Sequence, residues 1–306
     1  MILQDLYDKK LIRCPEWLLT NTHYLTQTGS VAYGVSSDTS DMDLYGFAIP
    51  RKEVTFPHLA GVIFVPIKDD YKVGFGDKPE IFAQWIQHGI VDKDALAGKG
   101  REYDFNIFNI VKFFSLLLEC NPGVLETLYT AHECVVHSTY IGNLVREHRD
   151  IFLYKRCYAT FKNYAYSQLH KMTSKNPTGK RKEIRDKFGF DVKFCYNLLR
   201  LLNECEQILM TGTMDLRLNN EQLKAIRRGE LKEEEVRKMA SDKEKQLETL
   251  FVNSKLPEKP QKDKIKKLLL ECLDYHYGTL KDCIEMPDKY RSIVNEIKDL
   301  INKSSA

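Results

Sequence analysis

Gly29-Ser30-Val31-Ala32-Tyr33-Gly34-Val35-Ser36-Ser37-Asp38-Thr39-Ser40-Asp41-Met42-Asp43-Leu44-Tyr45-Gly46 is the stretch whose reading decides the fold. Just before it, Tyr24 to Thr28 reads as a short strand ending at the Gly-Ser pair. Val31 to Val35 opens a helix after that turn, and Asp38-Thr39-Ser40 is turn-like. Asp41 to Ile49 then alternates as a second strand. The period of two puts Asp41 and Asp43 on one face and turns Met42 and Leu44 to the buried side. Two carboxylates spaced ~7 Å along a strand can embrace a pair of hard cations. Mg²⁺ suits such oxygen ligands and phosphate-bearing substrates. Gly29 lets the backbone approach a phosphate closely. The Ser30 hydroxyl and the amides of a helix N-terminus bind phosphate oxygens.

Outward from this stretch, Val62 to Val65 is a further strand candidate, and Arg101 to Ile107 another, bounded by Gly98-Lys99-Gly100. The text then turns helical. Phe108, Val111, Phe114, Ser115 and Leu118 keep a helical rhythm on one expected buried face. Asn121-Pro122 stops that helix, and Gly123 to Thr130 forms a short second one. Helix then follows helix: Phe152 to Met172, Asp191 to Thr211, Asn220 to Arg228, Lys232 to Asn253, Lys262 to Leu280 and Pro287 to Asn302. In the clearest, Phe194, Leu198, Leu201, Leu202, Cys205, Ile208 and Leu209 share a broad apolar face, and Thr211-Gly212 is a natural stop. Thr173 to Lys182, rich in Lys, Pro, Gly and Ser or Thr, reads as a loop. The fold class is α+β, with a strand-bearing domain over residues 1–140 and an all-helical domain over residues 141–306.

A chain of 306 residues, 43% hydrophobic and 29% charged, with a mean hydropathy of −0.40, is long enough for two domains with a buried core. No apolar run approaches the ~18–20 residues that span a bilayer. Met1 to Arg13 lacks the unbroken apolar segment of a secretory signal, so the cytoplasm is the expected location, with no membrane partner. A net charge of +3 is too small to argue for nucleic acid by itself. Its distribution says more: Lys171 to Lys187 holds seven Lys or Arg and only two acids. Lys180, Arg181 and Lys182 are the candidate nucleic-acid contacts there, and a solvated loop is the competing reading. The eight cysteines form no CxxC pair and no zinc spacing, and most sit among apolar residues as reduced core thiols would.

Gly-Ser, ten intervening residues and Asp-apolar-Asp-apolar together resemble the DNA polymerase β nucleotidyltransferase superfamily. The fuller text, Gly-Ser-x-Ala-Tyr-Gly with Ser-Asp-x-Asp-x-x-Gly, is similar to its branch noted beside RNA ligases, the RlaP-like family. Asn121-Pro122-Gly123-Val124-Leu125-Glu126 looks like that family's Asn-Pro-x-x-x-Glu element. Asp191-Val192-Lys193 with Leu198-Leu199-Arg200-Leu201-Leu202 resembles its Asp-x-Lys and Arg-Leu-Leu signature, and Ile226-Arg227-Arg228-Gly229 a later Ile-Arg-x-Gly element. The likeness spans roughly residues 25 to 240. The chain departs from the family at Phe194 and Asn197, where relatives tend to carry histidines.

The resemblance implies a polymerase-beta-like catalytic domain and two-metal transfer of a nucleoside monophosphate from a nucleoside triphosphate, ATP among them, with loss of pyrophosphate. Asp41 and Asp43 are the implied ligands for Mg²⁺ or Mn²⁺. A third carboxylate on a later strand is implied too, with Asp104 the best candidate and Glu102, two residues away on the same face, the alternative. Lys193 and Arg200 are the implied cations for the triphosphate; a solvated lysine and an ion pair of Arg200 with Glu204 one turn on are the structural alternatives. The implied acceptor hydroxyl is an RNA 3′ end, that of tRNA among them. Transfer of AMP to a protein side chain, and a non-catalytic antitoxin-like binding role, are the other readings kept open.

Overall fold

The computed structural model describes residues 1–36, 41–52, 63–67, 70–75, 82–174, 179–278 and 297. Two units emerge from the packing of the backbone: Met1–Ile49 with Ala83–Cys272, and Pro50–Phe82 with Leu273–Ala306. The strand expected from Val62 is seen from Ile63 onward. The expected turn at Asp38-Thr39-Ser40 and the expected helix from Pro287 to Asn302 lie outside the described residues.

The first unit starts with α1 (Ile2–Asp8) and α2 (Glu16–Asn21). Then come β1 (Thr22–Gln27), the single-turn helix α3 (Gly29–Ala32) and β2 (Met42–Ala48). In the second unit, β3 (Ile63–Ile67) and β4 (Asp70–Phe75) form an antiparallel hairpin. The first unit resumes with β5 (Gln84–Asp92), the single turn α4 (Ala95–Gly98) and β6 (Arg101–Asn109). After α5 (Ile110–Leu118) and α6 (Pro122–Tyr129), a short β7 (Val135–Ser138) completes a five-stranded sheet in the order β5-β6-β2-β1-β7. One pair, β2 with β6, is parallel, and the other three are antiparallel. This mixed sheet with its helices is the α+β class the sequence implies.

Burial along β2 alternates as expected: Met42 and Leu44 are buried while Asp43 and Tyr45 are only partly covered. Leu25, Leu44, Phe47, Phe105, Phe113 and Phe114 are buried in the core around the sheet. Phe47 and Phe113 meet at 5.0 Å between ring centroids, and Phe114 meets Phe152 edge-on at 5.4 Å. Each such ring contributes roughly 1.5–3 kcal/mol through burial, so the acids stand on a well-anchored plate.

One helix start differs from the sequence reading. The strand β6 runs on through Phe108 to Asn109, and α5 begins at Ile110. Asn109 sets the boundary, because its side chain accepts from the Val111 amide at 2.9 Å as an N-cap. The buried face is therefore Ile110, Phe113, Phe114 and Leu117, while Val111 and Ser115 are exposed.

The later helices are α7 (Tyr140–Glu147), α8 (Arg156–Ser174), α9 (Lys180–Phe188), α10 (Val192–Thr211), α11 (Asn220–Arg227), α12 (Glu233–Asn253) and α13 (Lys262–Tyr277). On α10 Leu198, Leu201, Leu202, Cys205, Ile208 and Leu209 are buried as expected, Phe194 in the first turn is only partly covered, and Gly212 caps the helix at φ 69°. The basic stretch is a correction. Lys180 to Lys182 belong to the helix α9 rather than to a loop. Helical propensity of the Lys-Arg-Lys-Glu run, and a left-handed Gly189 at its end, account for it. Among the described residues no helix is long and apolar enough to cross a membrane. Within the second unit, the Tyr277 hydroxyl donates to the Pro50 carbonyl at 2.7 Å.

Candidate active site

The turn from β1 into α3 is fastened to β2 through backbone. The Thr28 amide donates to the Asp43 carbonyl at 2.8 Å, and the Thr28 hydroxyl to the same oxygen at 3.3 Å. Gly29 follows with φ 65°, in the left-handed region. A Cβ there would collide with Asp43 Oδ2 and lie 3.3 Å from its Cγ. Glycine is thus required twice, by its torsion and by the carboxylate that leans on it. Ser30, in the single turn of α3, stands half-exposed beside it.

Parallel pairing of β2 with β6 sets Asp43 directly opposite Asp104. Two residues on, Tyr45 pairs with Asn106 on the same face. Asp104 is positioned from β5. The register between β5 and β6 slips between Gln87 and Ile90, where Gly89 takes φ 64°. That bulge points the Gly89 amide at Asp104 Oδ1, 2.7 Å away, with His88 Nδ1 at 3.5 Å from the same oxygen. Glu102, the alternative third acid, pairs with Val91 instead. Asp41 is exposed and sits just before the first residue of β2.

The electrostatics follow from this crowding. Burial, and then the neighbouring Asp104, push the Asp43 carboxyl up from 3.8 to about 6; Asp41 adds to the rise, and Lys193 and His88 oppose it. Burial also raises the Tyr45 hydroxyl, with Asp43 and Asp104 adding to it, so at neutral pH this group is a donor. Hard oxygen donors of this kind fit a divalent cation, which would relieve the repulsion that lifts Asp43. The Asn106 Oδ1 beside them is buried with no hydrogen-bond partner among the described residues. Among the described residues no three His, Cys, Asp or Glu side chains converge closely enough to hold an ion in this conformation.

In front of Asp43 opens a cleft of about 330 Å³. Its floor is Thr28, Gly29, Asp43 and Tyr45; Gly123 and Glu126 of α6, Tyr164 and Gln168 of α8, and Asn197 and Arg200 of α10 form the walls. Asn121 presents α6 to this cleft. Its side chain accepts from the Val124 amide at 3.3 Å and donates to the Tyr164 hydroxyl at 3.0 Å, with Pro122 in the first turn. Asp191 does the same for α10, accepting from the amides of Lys193 at 2.9 Å and Phe194 at 3.2 Å.

Lys193 is exposed in the first turn of α10, and its charge reaches Asp43. Arg200 is buried, and its Nη1 bridges Glu126 at 2.5 Å and Glu204 at 2.9 Å. Its guanidinium lies 4.3 Å from the centroid of Tyr33, whose hydroxyl donates to Glu126. The i+4 ion pair with Glu204 is therefore present, and Arg200 lines the cleft as well. Burial lifts the Glu204 carboxyl well above its usual range. Arg181 spends its charge on Asp191 at 2.8 Å and stacks 4.1 Å over Phe194, while Lys182 is exposed. Arg227, from the Ile-Arg-x-Gly text, donates to the Val35 carbonyl at 2.6 Å and so holds the segment that follows α3.

Tyr45, Tyr164, Gln168 and the His88-Gly89 bulge belong to this site but carry no motif in the sequence. Tyr45 alone had a signal, since it shares the face of Asp43 by the period of two. No curated protein and no solved structure matches the chain. The sequence profile of the RNA repair pathway DNA polymerase beta family, RlaP, matches residues 7–271. The chain belongs to this nucleotidyltransferase family.

Proposed function

We propose that the protein transfers a nucleoside monophosphate from a nucleoside triphosphate to an RNA 3′ hydroxyl, with release of pyrophosphate. The observation that carries the reading is Asp43 in register with Asp104, with Gly29 backed against the Asp43 carboxylate at the foot of the cleft. The RNA acceptor is supported by the description of the family.

In this reading Asp41, Asp43 and Asp104 hold Mg²⁺ or Mn²⁺, which supply Lewis-acid polarisation and charge neutralisation when bound. Gly29 and Ser30 bind the triphosphate oxygens through backbone and hydroxyl. Lys193 and Arg200 face the same phosphates from α10, dividing the work between the strand-bearing residues 1–140 and the helices that follow. Asp104 Oδ1 is committed to the Gly89 amide. Its other oxygen is the one to take the proton from the acceptor hydroxyl as that oxygen attacks the α-phosphate and pyrophosphate leaves. The remaining contribution is orientation of the two substrates in a shared cleft.

Incubation with α-labelled nucleoside triphosphates, Mg²⁺ or Mn²⁺ and RNA tests this directly. Label is expected on RNA, and Asp43→Ala and Asp104→Ala are each expected to lower incorporation by ~10³-fold or more, the scale of losing a transition-state electrostatic partner. Near-normal transfer by either variant would remove the assignment. Label appearing on protein would move the acceptor to a side chain, and no label at all would favour a binding role.

A further inference from the structure

A second cavity, of about 240 Å³, adjoins the cleft and is lined by Glu119, Asn121, Arg156, Thr160, Asn163 and Tyr164. The two share Tyr164, which is joined at its hydroxyl to Asn121 of the second cavity by a hydrogen bond at 3.0 Å. We propose that this second cavity is the seat of the acceptor strand, where a single-stranded RNA end stacks on Tyr164 and sets a backbone phosphate on Arg156. The proposal rests on the transferase reading above and adds to it the site where the acceptor binds.

Three observations carry it. First, α8 runs along both cavities, from Gln168 in the cleft to Arg156 at its far end. Those twelve steps of helix cover ~18 Å, about five stacking intervals of ~3.4 Å. One incoming nucleotide leaves most of that track uncovered, and a strand end fills it. Second, Tyr164 is 42% exposed yet held at its hydroxyl by Asn121. A fixed, open aromatic face suits any base, because every base has a π-face. Third, Arg156 and Glu119 face one cavity without closing an ion pair with each other. Arg156 is exposed in the first turn of α8, where the helix dipole disfavours a cation, and no acid stands in that turn to offset it. A phosphate supplies what the guanidinium lacks. The Glu119 carboxylate accepts from hydroxyls, as a ribose diol offers and a deoxyribose does not.

The test uses the full chain and a short fluorescein-labelled single-stranded RNA with a free 3′ hydroxyl, read by fluorescence polarisation without nucleotide. Thermal unfolding of each variant is recorded alongside. Tyr164→Ala and Arg156→Ala are each expected to weaken RNA binding about ten-fold, the effect of one lost stacking or phosphate contact. Tyr164→Phe, which keeps the ring, should stay within about three-fold of wild type. Nucleotide affinity of Arg156→Ala, measured without RNA, should stay within about two-fold. The corresponding DNA should bind more weakly than RNA, with Glu119→Gln narrowing the gap. Unchanged RNA affinity in both Tyr164→Ala and Arg156→Ala would overturn the proposal. So would a loss of nucleotide affinity in Arg156→Ala in step with that of RNA, which would make the second cavity part of the nucleotide site. Equal binding of RNA and DNA would remove the ribose contact at Glu119. Wild-type protein that binds the RNA through these residues but adds no label would overturn the transferase reading and leave the strand seat standing.

Discussion

Asp43 is where chemistry and stability pull against each other. Its carboxyl is raised to about 6, by burial first and by Asp104 next. A raised folded-state value means the native protein holds this proton more tightly than the unfolded chain. Between the ordinary 3.8 and about 6, stability therefore falls as pH rises, and above that window the full cost persists. After discounting for its partial exposure, the cost is roughly 1–2 kcal/mol. Asp43→Asn is expected to be more stable than wild type at neutral pH without divalent ions, with the gap closing below about pH 4. Urea unfolding at a series of pH values measures this. Added Mg²⁺ or Mn²⁺ should stabilise wild type and not the variant. A variant that stays less stable than wild type across the pH range, or that responds equally to the ions, would contradict the picture of a strained acid relieved by a cation.

At the scale of elements, the contact between α6 and α10 turns on Arg200. It answers two buried carboxylates, Glu126 and Glu204, and stacks on Tyr33. Removing one partner of such a group leaves charge without compensation inside the protein, at a cost of about 3–5 kcal/mol. Arg200→Met is expected to lose stability on that scale in denaturant unfolding. Glu204→Gln should lose much less, because the amide oxygen still accepts from Arg200 and Glu126 still answers its charge. A loss below about 1 kcal/mol in Arg200→Met would show that the residue serves the ligand alone. The sequence carries part of this logic openly. The i+4 spacing of Arg200 and Glu204 is visible, but the approach of Glu126 from another helix is not. In the same way, β2 can be read from alternation, because Met42 and Leu44 are buried at a period of two, while β1, buried along nearly all its length, is read from its composition and from the Gly-Ser punctuation that ends it. The edge strand β5 escapes that reading: its alternation breaks at the bulge around His88 and Gly89, the very irregularity that positions Asp104. The four residues of β7 are too few to show a period. In α5, a strand that runs straight into a helix hides the change of period, and only the Asn109 cap marks it.

For the molecule as a whole, a net charge of +3 gives no strong field, so attraction for a polyanion has to come from where the cations are placed. The richest run, Lys171 to Lys187, is not uniformly available. Arg181 is tied to Asp191, the cap of α10, and to the face of Phe194. Reversing its charge would disturb the helix that carries Lys193, so a change in RNA binding by that variant has two causes. Lys180→Glu with Lys182→Glu, leaving Arg181 in place, isolates the electrostatic part. Each phosphate contact on a single strand adds about 0.7 to the slope of log K against log salt concentration. If both lysines meet phosphates, the double variant should lower the magnitude of the slope by about 1.4, and its thermal unfolding should match wild type. Polarisation titrations with the labelled RNA over a range of KCl concentrations measure the slope. An unchanged slope in the lysine double variant, together with weaker binding by Arg156→Ala, would take this run out of the RNA path and leave the strand to the track along α8.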